Sequence, residues 1–181
     1  SALEFDRPGV LAVLVLDATS LAPQARLRLA DFILEDAIML AGLGFDTAPY
    51  RLFGDRLAFG IRRELAGESR PNPYGQTDLT LFDLQGDRLR PVLSGLVVTQ
   101  STGEWDMDCT GSFETLTRVL DLAPNAQAAD LVVRGTVQHR TNRAEGGACV
   151  SAETTETLAP FTLQYDGNIY PLPESPPPAA R

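Results

Sequence analysis

Lysine is missing from this chain; all fifteen basic residues are arginine. Without an amine there is neither a Schiff-base nucleophile nor a Walker-type phosphate loop, because both need that group. Histidine is nearly missing too. A Ser-His-Asp arrangement has only His139 to serve as its base. That residue follows "DLVVRGTVQ" and precedes Arg140, the setting of an exposed strand end. No Gly-x-Ser-x-Gly elbow is present, since "VLSGLVV" around Ser94 lacks the first glycine. With one His and two Cys, a zinc site would have to be completed by carboxylates, which is not the usual donor set.

Positive charge is scarce as a whole. The formal net charge of −9 argues against a nucleic-acid partner and against adsorption to anionic lipid. Long apolar runs are absent: Val10–Leu16 is far below the roughly 20 residues of a membrane helix. No basic segment precedes that run, so it does not read as a signal peptide. The chain is expected to be a mature form whose leader has been removed.

What is present is a hydrophobic fraction of 44%, ordinary for a globular protein. The expected organisation is one β-rich domain over residues 1–172 and an extended, disordered Pro-rich tail over 173–181. Val10–Leu16 reads as a buried strand. Ser20 is placed to cap a helix over 24–42, with Leu29, Ile33, Ala37, Leu40 and Ala41 on one face and Gly42 and Gly44 as stops. The front of that segment, "ARLRL", alternates and is also compatible with a strand. The Gly-x-Gly of "LAGLGFD" then follows a helix, the wrong context for a dinucleotide site.

After Gly44 the texture changes to strand–turn–strand units. "YRLFGDRLAFGI" turns at Gly54-Asp55, "LTLFDLQGDRLRPVL" at Gly86-Asp87, and "FTLQYDGNIYPL" at Asp166-Gly167. The last is the strongest hairpin signal, because Asp-Gly tolerates the positive φ angles of a type I′ turn. Leu96–Gln100, Ser112–Leu120 and Asp130–Val137 add further strands. Ala66–Asp78, with Pro73 and Tyr74 as anchors, and Arg140–Cys149 read as surface loops. The expected class is α+β: a mostly antiparallel β meander, sandwich or open barrel, with one N-terminal helix packed on the sheet.

The stretch closest to chemistry is "GEWDMDCTG", Gly103–Gly111. If it is a strand, Glu104, Asp106 and Asp108 share one face, while Trp105 and Met107 point into the core. One reading is a metal site or a small carboxylate-dependent hydrolase. A solvated strand face explains the same alternation, including its two apolar residues, and is preferred. Cys109 and Cys149 both lie among turn residues, with no Cys-x-x-Cys spacing, and fit a structural disulfide. That bridge places the protein in an oxidising compartment, periplasmic or secreted. Arg70, Tyr74 and Trp105 form a candidate recognition patch, since Arg and aromatic residues dominate binding hot spots. Tyr165 and Tyr170 are expected to be cross-strand neighbours. The residues imply no cofactor. The expected function is an exported, non-catalytic domain that binds a protein partner of the cell envelope through loops and edge strands.

Overall fold

The computed structural model describes residues 9–33 and 38–174. Residues 175–181, most of the expected tail, lie outside the described residues. Ten strands run in chain order: β1 (Gly9–Leu16), β2 (Pro23–Ile33), β3 (Ile38–Phe53), β4 (Arg56–Gly67), β5 (Tyr74–Gln85), β6 (Arg88–Trp105), β7 (Gly111–Ala123), β8 (Asp130–Glu145), β9 (Ala148–Thr157) and β10 (Phe161–Leu163). The molecule is all-β, and no helix occurs among the described residues. β3 to β8 form a continuous antiparallel meander. The outer edge of β8 is shared, by β10 along Leu131–Val133 and by β9 along Thr136–Glu145. β1 and β2 make a separate hairpin.

The expected helix over 24–42 is therefore corrected to the strand β2 and the start of β3, while its residues 34–37, Ala37 among them, lie outside the described residues. Ala25, Leu27 and Leu29 turn inward, while Arg26 and Arg28 turn outward. That two-residue period prevails because β1 supplies a strand partner from Gly9↔Ile33 to Leu16↔Pro23. Ser20 caps no helix; its N–H donates to Asp17 Oδ1 at 2.7 Å inside the β1–β2 turn. Gly42 and Gly44 lie within β3, not at a helix end.

Two layers of core sit on opposite faces of β5, which is buried on both sides from Asp78 to Asp83. On one face the β1–β2 hairpin lays Val13 and Ala25 onto Ile61, Phe82 and Leu89. Full burial of an aliphatic or aromatic side chain of this kind stabilises by about 1.5–3 kcal/mol. Val10, Leu14 and Leu16 point away from that layer and are exposed, so β1 is half-buried rather than the fully buried strand its composition suggests. Arg63 anchors the hairpin. Its guanidinium donates to the Phe32 carbonyl, stacks 5.2 Å from the Phe32 ring, and pairs with buried Asp78 at 2.8 Å.

On the other face the sheet curls on itself. Leu52, Leu79, Leu81, Val92, Leu131 and Leu163 meet in the larger core. Ala129 N–H donates to the Leu52 carbonyl at 2.8 Å, and Tyr170 N–H donates to the Val92 carbonyl at 2.7 Å, so backbone bonds hold the curl shut. The turn at Asp166-Gly167 forms, with Asp166 N–H donating to Ile169 O at 3.0 Å, but no strand follows it. Tyr170 is drawn into the core and donates its hydroxyl to Ala129 O, which outcompetes a hairpin ladder. Tyr165 and Tyr170 do touch, at 5.4 Å between centroids, as loop neighbours rather than cross-strand partners.

Beyond this core the ladders of β6, β7, β8 and β9 run on as a polar blade. Thr99, Thr117, Thr136 and Thr157 stand in one cross-strand row, and β9 is exposed along nearly its whole length. The expected loop over Arg140–Cys149 is in fact the tip of the β8–β9 hairpin, turning at Gly146 and Gly147, both at positive φ. The expected loop over Ala66–Asp78 shrinks to 68–73 because Tyr74 already pairs with Thr102.

Candidate functional site

The blade carries a groove of about 740 Å³ beside loop 68–73. Its floor comes from strand register. Gly103 pairs with Phe113, which pairs with Arg140; one step along, Trp105 pairs with Gly111, which pairs with Asn142. Both glycines are required by close approach. A Cβ on Gly103 would lie 2.5 Å from Phe113 Cδ1, and one on Gly111 would lie 2.4 Å from Trp105 Cβ. The two rings settle into these gaps, 6.4 Å apart at a tilt of 54°. Arg140 spreads its guanidinium 4.6 Å from the Phe113 ring centre, a cation–π geometry.

Loop 68–73 forms one wall; Pro73 packs beside Gly103, and Trp105 supplies two hydrogen bonds that fasten the loop to the floor. The Trp105 backbone N–H donates to Pro71 O at 3.0 Å, and its indole Nε1–H donates to Arg70 O at 2.6 Å. Met107 forms another wall from the β6–β7 turn. This turn corrects the expected alternation of "EWDMD": β6 ends at Trp105, and Met107 is exposed at a positive φ of 63° rather than directed into the core. Asp106 organises the turn, since its Oδ1 accepts N–H bonds from Asp108 at 3.0 Å and Cys109 at 2.9 Å. The Asp108 N–H, joined by that of Cys109, holds the Asp106 carboxyl below the usual carboxylate range. Cys109 is bonded to Cys149, Cα to Cα 5.7 Å, tying this turn to the start of β9.

Two of the three residues of the expected recognition patch come together in the groove. Arg70 and Trp105 line the groove. Tyr74 belongs to the other face of the blade, where its hydroxyl donates to Gln76 Oε1 at 2.7 Å and accepts from Gln100 Nε2 at 3.4 Å. Phe113, Arg140 and Asn142 join the groove instead. The sequence held one signal for them, a glycine inside β6 at 103 and another opening β7 at 111, which marks close approach of a neighbour.

The acidic trio is dispersed. Glu104 stays on the strand, Asp106 accepts the N–H bonds of the turn, and Asp108 is exposed within that same turn. Among the described residues no group of three or more His, Cys, Asp and Glu is placed to hold a metal ion. His139 lies inside β8 rather than at a strand end, with Nδ1 3.4 Å from Glu114 Oε2 across the ladder. Compared with known protein families, curated proteins and solved structures, the chain matches none. The class is therefore defined by structure: an all-β domain with one disulfide, and among the described residues no helix long and apolar enough to cross a membrane.

Proposed function

We propose that the protein is a non-catalytic domain of the periplasm or the extracellular space that holds a protein partner in the Trp105–Phe113–Arg140 groove. One observation carries the reading: Arg70 and Arg140 line the groove beside two aromatic rings, and among the described residues neither has a carboxylate within 4.0 Å. The groove lining holds one carboxylate, Glu68, against these two guanidiniums, and in a chain of net charge −9 that local excess of positive charge favours a ligand that brings its own carboxylates. Trp and Arg are also the residue types that concentrate binding energy. The disulfide supports the oxidising compartment, and it braces the turn that forms one wall. The blade is built to hold this surface rigid: the groove floor consists of paired strands and not of a loop.

A pull-down from envelope extract tests the proposal, with the wild-type domain, Arg140→Glu and Phe113→Ala as parallel baits. The expected result is a protein captured by the wild type and lost from both variants. Equal capture by all three, or none above a denatured control, contradicts it.

A further inference from the structure

A second recognition element lies away from the groove, on the β1 edge, and does not depend on the first. β1 pairs with β2 on one side only; among the described residues no strand lies on its other edge. Edge strands in stable proteins are shortened, charged, bulged or covered, because a free row of N–H and C=O groups templates another strand. Over "GVLAVLVL" the β1 edge carries no charge, among the described residues nothing covers it, and its register shifts lie only at the two ends, between Gly9 and Leu11 and between Val15 and Leu16, so Leu11–Val15 is an unbroken run. Below it the sheet face continues past the hairpin. Leu43, Phe45 and Ile61, with Leu11 to Leu14 above, enclose an apolar groove of about 220 Å³. On that floor Phe45 is 76% exposed and Leu43 44%. The groove therefore combines an unpaired backbone edge with an apolar floor one layer beneath, which is the geometry of strand addition.

The charge next to it specifies the strand. On the outer face of the hairpin, Arg28 stands across from Ala12 and Arg26 across from Leu14. Both arginines are exposed, and among the side chains described, which do not include Asp31, neither has a carboxylate within 4.0 Å. A strand added beyond β1 would lie about 10 Å from β2, two strand spacings of roughly 4.8 Å each. Ala12 is small, so the Arg28 side chain can lie across it to an acidic residue on the outer face of that strand. Side chains of one strand alternate between faces. We propose that the β1 edge accepts an extended segment of a partner protein in which apolar residues, facing Leu43 and Phe45, alternate with acidic residues facing Arg26 and Arg28.

The test uses capped seven-residue peptides as probes: one alternating Val and Glu, one alternating Val and Lys, and a Val–Glu peptide N-methylated on the edge that would face β1. Binding is measured by calorimetry to the full chain, together with hydrogen exchange of the β1 amides. The expected result is binding of the Val–Glu peptide with added protection along β1. The N-methylated peptide should bind at least tenfold more weakly, and so should the Val–Lys peptide. Phe45→Asp, at an exposed position that leaves the core intact, should weaken Val–Glu binding at least tenfold. Arg28→Glu should reverse the preference towards Val–Lys. Three results overturn the proposal. One is no binding of any peptide, or binding indifferent to Phe45→Asp and Arg28→Glu. Another is binding that appears only after residues 1–8 are deleted, which assigns the groove to the chain's own first segment. The third is a concentration-dependent dimer that Phe45→Asp dissolves while no peptide binds, which assigns it to a second copy. Loss of partner capture at Arg140 leaves all these readouts unchanged, so the two sites fail separately.

Discussion

The indole N–H of Trp105 donates to the carbonyl oxygen of Arg70 at 2.6 Å, so the last residue of β6 fastens loop 68–73 in place. Trp105→Phe keeps an aromatic ring on the groove floor and removes this bond. A loss of about 1 kcal/mol is expected, the net worth of one such hydrogen bond. Hydrogen exchange should quicken at residues 69–72, with the β3–β5 ladder unaffected. Unchanged exchange in the loop would show that Trp105 does not fasten it.

Reduction of Cys109–Cys149 frees a span of 40 residues. In the chain-entropy model that costs about 4 kcal/mol, an upper figure because the unfolded chain retains structure. Urea denaturation with and without reductant measures it. Exchange should rise first at the β6–β7 turn and the β8–β9 tip, the two ends the bridge joins. Identical transitions in both conditions would remove the bridge from the account of the groove's rigidity.

Arg63 reaches the hairpin at the Phe32 carbonyl and ring and, within the sheet, pairs with Asp78, which is only 2% exposed. Arg63→Met leaves this carboxylate buried without its cation, and a loss of about 3–5 kcal/mol is expected. The double variant Arg63→Met with Asp78→Leu should recover much of that loss, because no unpaired charge remains. A double variant no more stable than Arg63→Met would place the cost in the lost Phe32 contact instead.

Two tyrosines set an alkaline limit. Burial, then the Asp46 carboxylate, push the Tyr50 hydroxyl up to about 12, and burial with Asp130 nearby does the same for Tyr170. A raised value in the folded state means that the protonated form is favoured there. Its stabilisation is complete below pH 10, the ordinary value, and is lost as the pH rises through about 12. Asp46 acts at the other end. Burial pushes its carboxyl up, but the Ala48 N–H, Arg62 and the Tyr50 hydroxyl together outweigh this and hold it low. Its stabilisation is present above pH 3.8 and disappears as the pH falls through the lower folded value. Denaturation across both limits, with ultraviolet titration of tyrosine, should show a late phase near pH 12 that loses amplitude in Tyr50→Phe. In Asp46→Asn the acid limb should flatten.

The turns at Gly54 and Gly86 were readable because each is a local event, and both glycines sit at a φ of 63°. The segment 24–42 was not, because Leu29, Ile33 and Leu40 satisfy a helical period while Arg26 and Arg28 satisfy a strand period. Only the strand partners brought by the fold, β1 for residues up to Ile33 and β4 for Ile38 onward, decide between them. Most of the blade escaped for a different reason. Its outer strands are polar on both faces, as at Ser101–Thr102 and Thr154–Thr155, so they carry no burial pattern to read. The groove depends on register: Gly103, Phe113 and Arg140 are distant in sequence and become neighbours only through two ladders. The Cys109–Cys149 pair was legible from composition, since two cysteines among turn residues need no register to be matched.

The central claim is that a partner sits in the Trp105–Phe113–Arg140 groove, and site-specific photo-crosslinking in envelope extract tests it most directly. A photoreactive side chain is placed in turn at Met107, at Arg70 and, as a distant control, at Asp87 in the β5–β6 turn. The account predicts one adduct of common mass from Met107 and Arg70, lost when Arg140→Glu is added, and no adduct from Asp87. Adducts equal at all three positions, or absent from both groove positions, would contradict it.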